Sequence, residues 1–317
     1  LTLLVSAVVA LGVWVFLIEG ERSKRASGDA MLSAERLEGL VRGNAFALGF
    51  LLLKWGTAAG GLVVLILYLS KRAAIRTGRL PPPLRPAPPV PVLDLVAAGA
   101  FVLAYVLTIL LVAGALRWTE SRGWLSPGTA GSTNAGIVVM TIGGMPYAAV
   151  IVALRRRRPR TPSVRARIAP ALQVFLVASF VTVVLAVVGG LVLRFVFGQE
   201  PMVQDLVKKA VSEPDPTFLW LLAVYGVLGA PIIEEALFRG LLYPAVRATS
   251  GPTIAALSTS ILFAAIHSDA SAYLPLLGLG LLLAGLFEAT DSLLAVTVVH
   301  ALNNLTSLAP LVSLGSP

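Results

Sequence analysis

The sequence predicts an all-α polytopic membrane protein, and three observations carry that prediction. Of 317 residues, 57% are hydrophobic and 13% charged, against roughly one half and one quarter in an ordinary soluble domain. Apolar runs long enough for a helix to cross a hydrocarbon core, about 20 residues, recur along the chain, and the mean hydropathy is +0.87. Arginines gather in short loops beside those runs, where they act as orientation signals. For that reason the formal charge of +9 does not point to nucleic acid, and none is expected as a partner. Cysteine is absent, which removes disulfides, thiolate nucleophiles and cysteine metal sites together.

Five spans are predicted first, near residues 1–18, 45–69, 94–116, 135–154 and 170–197. Between the second and third, Lys71 to Val92 carries five basic residues and no acid, and its Pro81-Pro82-Pro83 and Pro88-Pro89 runs favour extended polyproline geometry over helix. Arg155 to Arg167 holds seven arginines and no acid, whereas Glu200 to Asp215 is net acidic. The positive-inside rule places the basic loops 71–92 and 155–167 in the cytoplasm and the acidic loop outside. Strict alternation of five spans satisfies both. The expected location is a bacterial cytoplasmic membrane.

Beyond Asp215 the pattern changes. Phe218 to Val246 is one long apolar stretch interrupted by Pro231, Glu234, Glu235 and Arg239. Pro252 to His267 is short for a span, Ser268 to Ser271 is polar, and two further runs cover Tyr273 to Phe287 and Ser292 to Pro310. The expected total is about eight to nine membrane segments. Irregular backbone inside a bilayer is tolerated only where protein or a wet cavity covers it. A C-terminal core at 217–310, enclosing an intramembrane polar cavity, is therefore expected beside a five-span scaffold at 1–200 with its Pro-rich basic linker at 71–93. No repeat relates the two parts, which weighs against an inverted-repeat transporter.

The chain has two histidines, His267 and His300, and both lie in apolar sequence after the doubled Glu234-Glu235. Ionisable groups in such sequence mark function by default. Glu235 and Arg239, four apart on a helix, form an ion pair that makes one carboxylate tolerable. Glu234 points about 100° away. It is the less neutralised acid, suited to a general base. Phe263 precedes His267 by four residues, and His300 precedes Asn304 by four, so each pair shares a helix face. One acid, two histidines and an amide from three segments suit a polarised water and an oxyanion site. They equally suit a two-histidine, one-carboxylate metal centre. No His-Glu-x-x-His is present. A proton or ion transporter and a peptide-binding immunity protein are the non-catalytic alternatives.

The ordered motifs Glu234-Glu235-x-x-x-Arg239, Phe263-x-x-x-His267 and His300-x-x-x-Asn304, within roughly seventy residues, resemble those of the CPBP intramembrane protease family, also called the Abi or type II CAAX-protease family. The resemblance covers about residues 217 to 310. It implies an intramembrane endopeptidase in which Glu234 and His267 activate the water, His300 and Asn304 stabilise the oxyanion, and Glu235 and Arg239, with Phe263, support the site. A divalent metal such as zinc, held by Glu234, His267 and His300, and a metal-free water both remain open. The implied partners are membrane lipid and a membrane-associated or prenylated-like peptide or protein.

Overall fold

The computed structural model describes residues 45–76, 93–124, 130–156, 165–198, 215–267 and 269–314. Among them there is no β-strand, and the protein is all-α. Four helices come first: α1 (Ala45–Arg76), α2 (Leu93–Ser121), α3 (Ala130–Arg156) and α4 (Arg165–Phe197). Each contains one of the predicted spans. A 50-residue helical run, α5 (Pro216–Ala265), follows, and then α6 (Ala270–Thr290) and α7 (Leu293–Leu314). Six helices among the described residues are long and apolar enough to cross a membrane, which makes the chain a polytopic membrane protein. The span expected near 1–18, residues 77–92 of the basic linker, most of the arginine loop and nearly all of the acidic loop lie outside the described residues.

One expectation needs correcting in detail. Lys71, Arg72 and Arg76, read as the start of an extended linker, instead form the last turns of α1. The first proline of that stretch is Pro81, so nothing before it withdraws a backbone donor or blocks the helix.

Helix α5 is irregular at the places where its prolines require it. A proline inside a helix removes one N–H and its ring crowds the carbonyl four residues back. Two π-helical turns, Tyr225–Gly229 and Ala236–Leu242, lie just ahead of Pro231 and Pro244. In the first, Ala230 N–H reaches back five residues to Tyr225 O. In the second, Tyr243 N–H does the same to Phe238 O. The widened register makes room for each ring and leaves the short α-helical piece Ala230–Glu235 between two bulges. Such bulges are common at functional sites.

Gly251 then reverses the chain. Its backbone sits at φ 80°, ψ 170°, a region open almost only to glycine, and Pro252 further disfavours a helical conformation for the residue before it. Along an unbroken helix Phe238 and Phe263 would be separated by about 37 Å, yet their ring centroids are 5.3 Å apart. The limb after Gly251 therefore folds back along the limb before it. Glu234 lies seventeen residues before Gly251 and His267 sixteen after it, so both arms reach the same depth. Simple alternation of spans, which would carry His267 away from Glu234, is avoided by this hairpin.

The remaining turns are capped by the polar residues that interrupt the apolar pattern. Asp215 Oδ1 and Oδ2 accept from Thr217 N and Phe218 N at the start of α5. Asp269 Oδ1 accepts from Ser271 N and Ala272 N at the start of α6, so the polar break after His267 is a helix cap. Asp291, with φ 44°, turns α6 into α7, where Ser292 Oγ accepts from Ala295 N.

Helix α4 ties the two halves of the described chain together, with α1 on one side and α6 on the other. Small residues permit the close approach: a side chain on Gly61 would collide with the Leu176 carbonyl, and one on Gly278 with Leu185. That is how helices pack where no water drives association. Phe175 and Ala178 of α4 join Leu279, Leu283 and Ala284 of α6 and Val296 and Val299 of α7 in the largest apolar cluster.

Replacing Gly251 by alanine should lower stability by about 1–3 kcal/mol, the cost of holding a non-glycine residue in that region. Unfolding in detergent micelles, with the neighbouring Ser250→Ala as control, measures it. An unchanged midpoint would show that the hairpin does not depend on this glycine.

Candidate active site

The centre of the cluster is a pair of opposite charges sealed from the surroundings. Glu235 and Arg239 are both fully buried, with Arg239 Nη1 3.0 Å from Glu235 Oε1. Arg239 also donates through Nη2 to the Gly280 carbonyl of α6 at 2.9 Å. That carbonyl is reachable because Gly280 lies against Ser260 with no space for a Cβ, which would come within 2.9 Å of the Ser260 Cβ. The arginine thereby joins both limbs of the α5 hairpin to α6.

His300 of α7 completes the network. Its Nδ1–H donates to the same Glu235 Oε1 at 2.8 Å, and its Nε2 stands 3.9 Å from Glu234 Oε2. One imidazole thus faces both glutamates. The Glu234 side chain is 19% exposed against 0% for Glu235, so the two neighbours differ in kind: one is locked by a guanidinium and an imidazole, the other opens on the surroundings. Glu234 Oε2 has no hydrogen-bond partner among the described residues. A carboxylate oxygen in that state is costly to bury and available to a proton donor.

Phe263 is the hub of the apolar packing under these groups. Its ring meets Phe238 edge-on, lies 5.0 Å from the His267 ring and 5.6 Å from the His300 ring, and receives the Arg239 guanidinium at 5.1 Å. The spacing of Phe263 and His267 places the aromatic beside its histidine, and the fold adds the second histidine on the same ring. His267 stands at the end of the returning limb. Its Nδ1–H donates to the Phe263 carbonyl at 2.7 Å, capping the helix C-terminus and leaving Nε2 as the ring's other polar atom.

Asn304 is held by the irregularity of α5. The π register hands Ala230 N–H to Tyr225 O, and Pro231 has no N–H to offer, so the Gly226 carbonyl loses both of its helix partners. Asn304 Nδ2 donates to it at 2.8 Å. Asn303, beside it in sequence, accepts from Lys54 Nζ of α1 at 3.3 Å.

The structure thus gathers Glu234, Glu235, Arg239, Phe263 and His300, sets His267 across the Phe263 ring, and attaches Asn304 one turn beyond His300. The pairing differs from what helical spacing alone indicates. His300 is nearest the glutamates, and Asn304 is bonded to backbone. Tyr105, packed against the apolar cluster of Ile233 and Ala236, and Tyr225, at the start of the first π turn, were not recognisable in sequence as neighbours of these residues, since an apolar helix commonly carries a tyrosine. Gly226 and Gly280 were equally silent, because what matters is a carbonyl that every residue has. Glu288, also unforeseen, accepts from Arg247 Nε and Nη2, both at 2.7 Å, and from Tyr243 at 2.8 Å. This clamp joins α5 to α6 near the Gly251 turn.

The metal alternative requires His267, His300 and Glu234 to turn toward one ion. Among the described residues no three histidine, aspartate or glutamate side chains are gathered in a way that fits a metal. Both Nδ1 atoms are already engaged, one with a backbone carbonyl and one with Glu235.

Residues 216–306 match the model of the Rce1-like family, type II CAAX prenyl endopeptidase. That segment begins at α5 and ends within α7, and it contains every residue of the three motifs. No curated protein and no solved structure matches the chain.

Arg239→Met should cost about 3–5 kcal/mol, the usual effect of removing one partner from a buried ion pair. The double variant Glu235→Gln with Arg239→Met should recover much of that loss. Denaturant titrations of the single and double variants in detergent test the coupling, and strictly additive losses would show that the two side chains do not act as a pair.

Proposed function

Since residues 216–306 match the model of the Rce1-like family, type II CAAX prenyl endopeptidase, we propose that this membrane protein hydrolyses a peptide bond with a water activated by Glu234. The observation that carries this reading is the contrast between the two glutamates. Glu235 is fully buried and its Oε1 accepts from two donors, though its Oε2 accepts from none; Glu234 is 19% exposed, and its Oε2 accepts from none among the described residues and lies 3.9 Å from His300 Nε2. The first holds the site together; the second is free to take a proton.

In the proposed reaction the Glu234 carboxylate removes a proton from water as its oxygen bonds to the scissile carbonyl carbon. The carbonyl electrons move onto oxygen. His267, whose Nδ1–H is committed to the Phe263 carbonyl, presents Nε2 as a second acceptor that orients the water. His300 in its doubly protonated form donates Nδ1–H to Glu235 and Nε2–H to the oxyanion. The cluster is then balanced, two carboxylates against a guanidinium and an imidazolium, which is the condition under which buried charges are tolerated. Asn304 has a second amide N–H beyond the one on Gly226 O, and that N–H serves the oxyanion. Collapse of the tetrahedral intermediate breaks the C–N bond, and Glu234 returns its proton to the departing amine. Donors held rigidly by the fold need little reorganisation as charge develops. The Arg239 anchor and the Asn304 bond to backbone supply that rigidity.

The substrate is proposed to be a membrane-associated or lipid-modified peptide or protein, admitted from the bilayer into the space around Glu234. His300 lies seven residues into α7, about 10 Å along the helix. The reacting groups therefore sit below the end marked by the Arg247–Glu288 clamp, within reach of a chain entering from that side. That side is proposed to be the cytoplasmic one, on the charge of the basic loops.

Glu234→Gln should lower kcat by about 10²–10⁴-fold, the range for loss of a general base, without changing the fold. Asn304→Ala should lower kcat by about 10²–10³, the usual cost of an oxyanion donor. Cleavage of a lipid-modified peptide library by purified protein, read by mass spectrometry, gives the comparison. Wild-type rates in Glu234→Gln would sink the assignment.

A further inference from the structure

Asn304 is fastened to α5 through one amide hydrogen, in the bond from its Nδ2 to the Gly226 carbonyl. A single attachment holds one side of a helix and leaves it able to roll about its axis. The neighbouring residue supplies a second. Asn303 and Asn304 point about 100° apart around α7, and Asn303 Oδ1 accepts from Lys54 Nζ of α1 at 3.3 Å. The turn that carries Asn304 is thus held from two directions, by α5 and by α1.

The attachment to α1 is more than one hydrogen bond. Lys54 Nζ also donates to Thr306 Oγ1 at 3.3 Å and to Ser307 Oγ at 3.2 Å, which uses all three of its N–H groups. Both hydroxyls in turn donate to the Asn303 carbonyl, at 3.0 and 2.9 Å. The ammonium and three residues of α7 therefore form a closed set of bonds around one turn, with Asn303 and Thr306 buried. Hydroxyls bonded three or four residues back bend a helix slightly, so the set fixes the local direction of α7 as well as its rotation.

An ammonium is a costly way to make such a contact. Lys54 lies inside the apolar span Gly49–Ser70 and pairs with no carboxylate among the described residues. A charge in that place marks function by default. Packing of α1 does not require it, since the helix meets α4 at Gly61, whose missing side chain lets the Leu176 carbonyl approach. Lys54 also lies outside residues 216–306. The N-terminal helices thereby reach a turn of the segment that carries the three motifs.

We propose that Lys54 is a positioning residue for the reaction: through Asn303 it fixes the rotation of α7, so that the second amide N–H of Asn304 meets the oxyanion. This rests on the protease reading above and adds α1 to the parts on which the rate depends. Lys54 touches neither the peptide nor the reacting atoms. Its loss misplaces a donor that acts only as charge develops, so it lowers kcat and leaves substrate binding alone.

The experiment is a double-mutant cycle between Lys54→Met and Asn304→Ala, with kcat and KM measured per folded molecule on a lipid-modified peptide. Ser70→Ala, an exposed change on α1, serves as control. Lys54→Met should lower kcat about 10–10²-fold, the scale of a catalytic group displaced by up to an ångström, with KM little changed. In the Asn304→Ala background the same substitution should alter kcat by less than about twofold, because the group it positions is gone. Asn303→Ala removes the acceptor and leaves the ammonium; it should reproduce the loss, and it carries the test if Lys54→Met does not fold. Unchanged kcat in both variants would overturn the proposal. Equal losses with and without Asn304 would also overturn it, as the mark of a clamp that stabilises the helices without placing this amide. A rise in KM at constant kcat would overturn it in favour of a substrate contact. Glu234→Gln judges the protease reading separately: cleavage by wild type that this variant abolishes leaves that reading standing whatever Lys54→Met does. Absence of any cleavage by wild type would overturn both.

Discussion

Everything around the candidate site depends on the buried bond between Glu235 and Arg239. Neither charge is tolerable alone in an apolar interior, and removing one leaves the other uncompensated. Because Glu235 Oε1 also accepts from His300 and Arg239 also donates to Gly280, one ion pair draws α5, α6 and α7 to a single point. The desolvation cost of the pair is met by geometry that only these three helices together supply. The same requirement explains why Phe263 and Phe238 surround the guanidinium: aromatic faces accept a cation where water is excluded.

The irregular backbone of α5 serves this arrangement. Pro231 and Pro244 forbid a regular helix, and the π turns that accommodate them leave a carbonyl at Gly226 without a helix partner. Asn304 fills that position. A residue suited to stabilise an oxyanion is therefore also the residue that repairs the helix, and its orientation is fixed by backbone. Gly251, by turning the chain back, brings the returning limb to the depth of Glu234, so that Phe263 and His267 join residues some thirty positions earlier in sequence. Without that reversal the three motifs would lie at different levels of the bilayer.

Lys54 ties α1 to α7 through Asn303, Thr306 and Ser307. Scaffold packing alone, through α4 and the small residues of α1 and α6, needs no ammonium within an apolar span. These contacts, one to two turns from His300, join α1 to the same helix that carries the imidazole.

Composition and run length by themselves determined the class of the protein, because a bilayer requires helices of about 20 apolar residues whatever their arrangement. Helix ends came from the structure: Asp215, Asp269 and Ser292 are short polar residues where apolar runs begin, and they cap. The ion pair of Glu235 with Arg239 followed from four-residue spacing, since neighbours on a helix face need no tertiary information. The contacts among segments were another matter. That His300 faces both glutamates, that Asn304 meets Gly226, that Phe263 touches both imidazoles and that Lys54 reaches α7 are all pairings between residues far apart in the chain. Periodicity reports which face of a helix a side chain occupies, not which helix lies opposite. The reversal at Gly251, the widened turns before the prolines and the close approach at Gly280 decide that, and each depends on how the backbone packs in three dimensions.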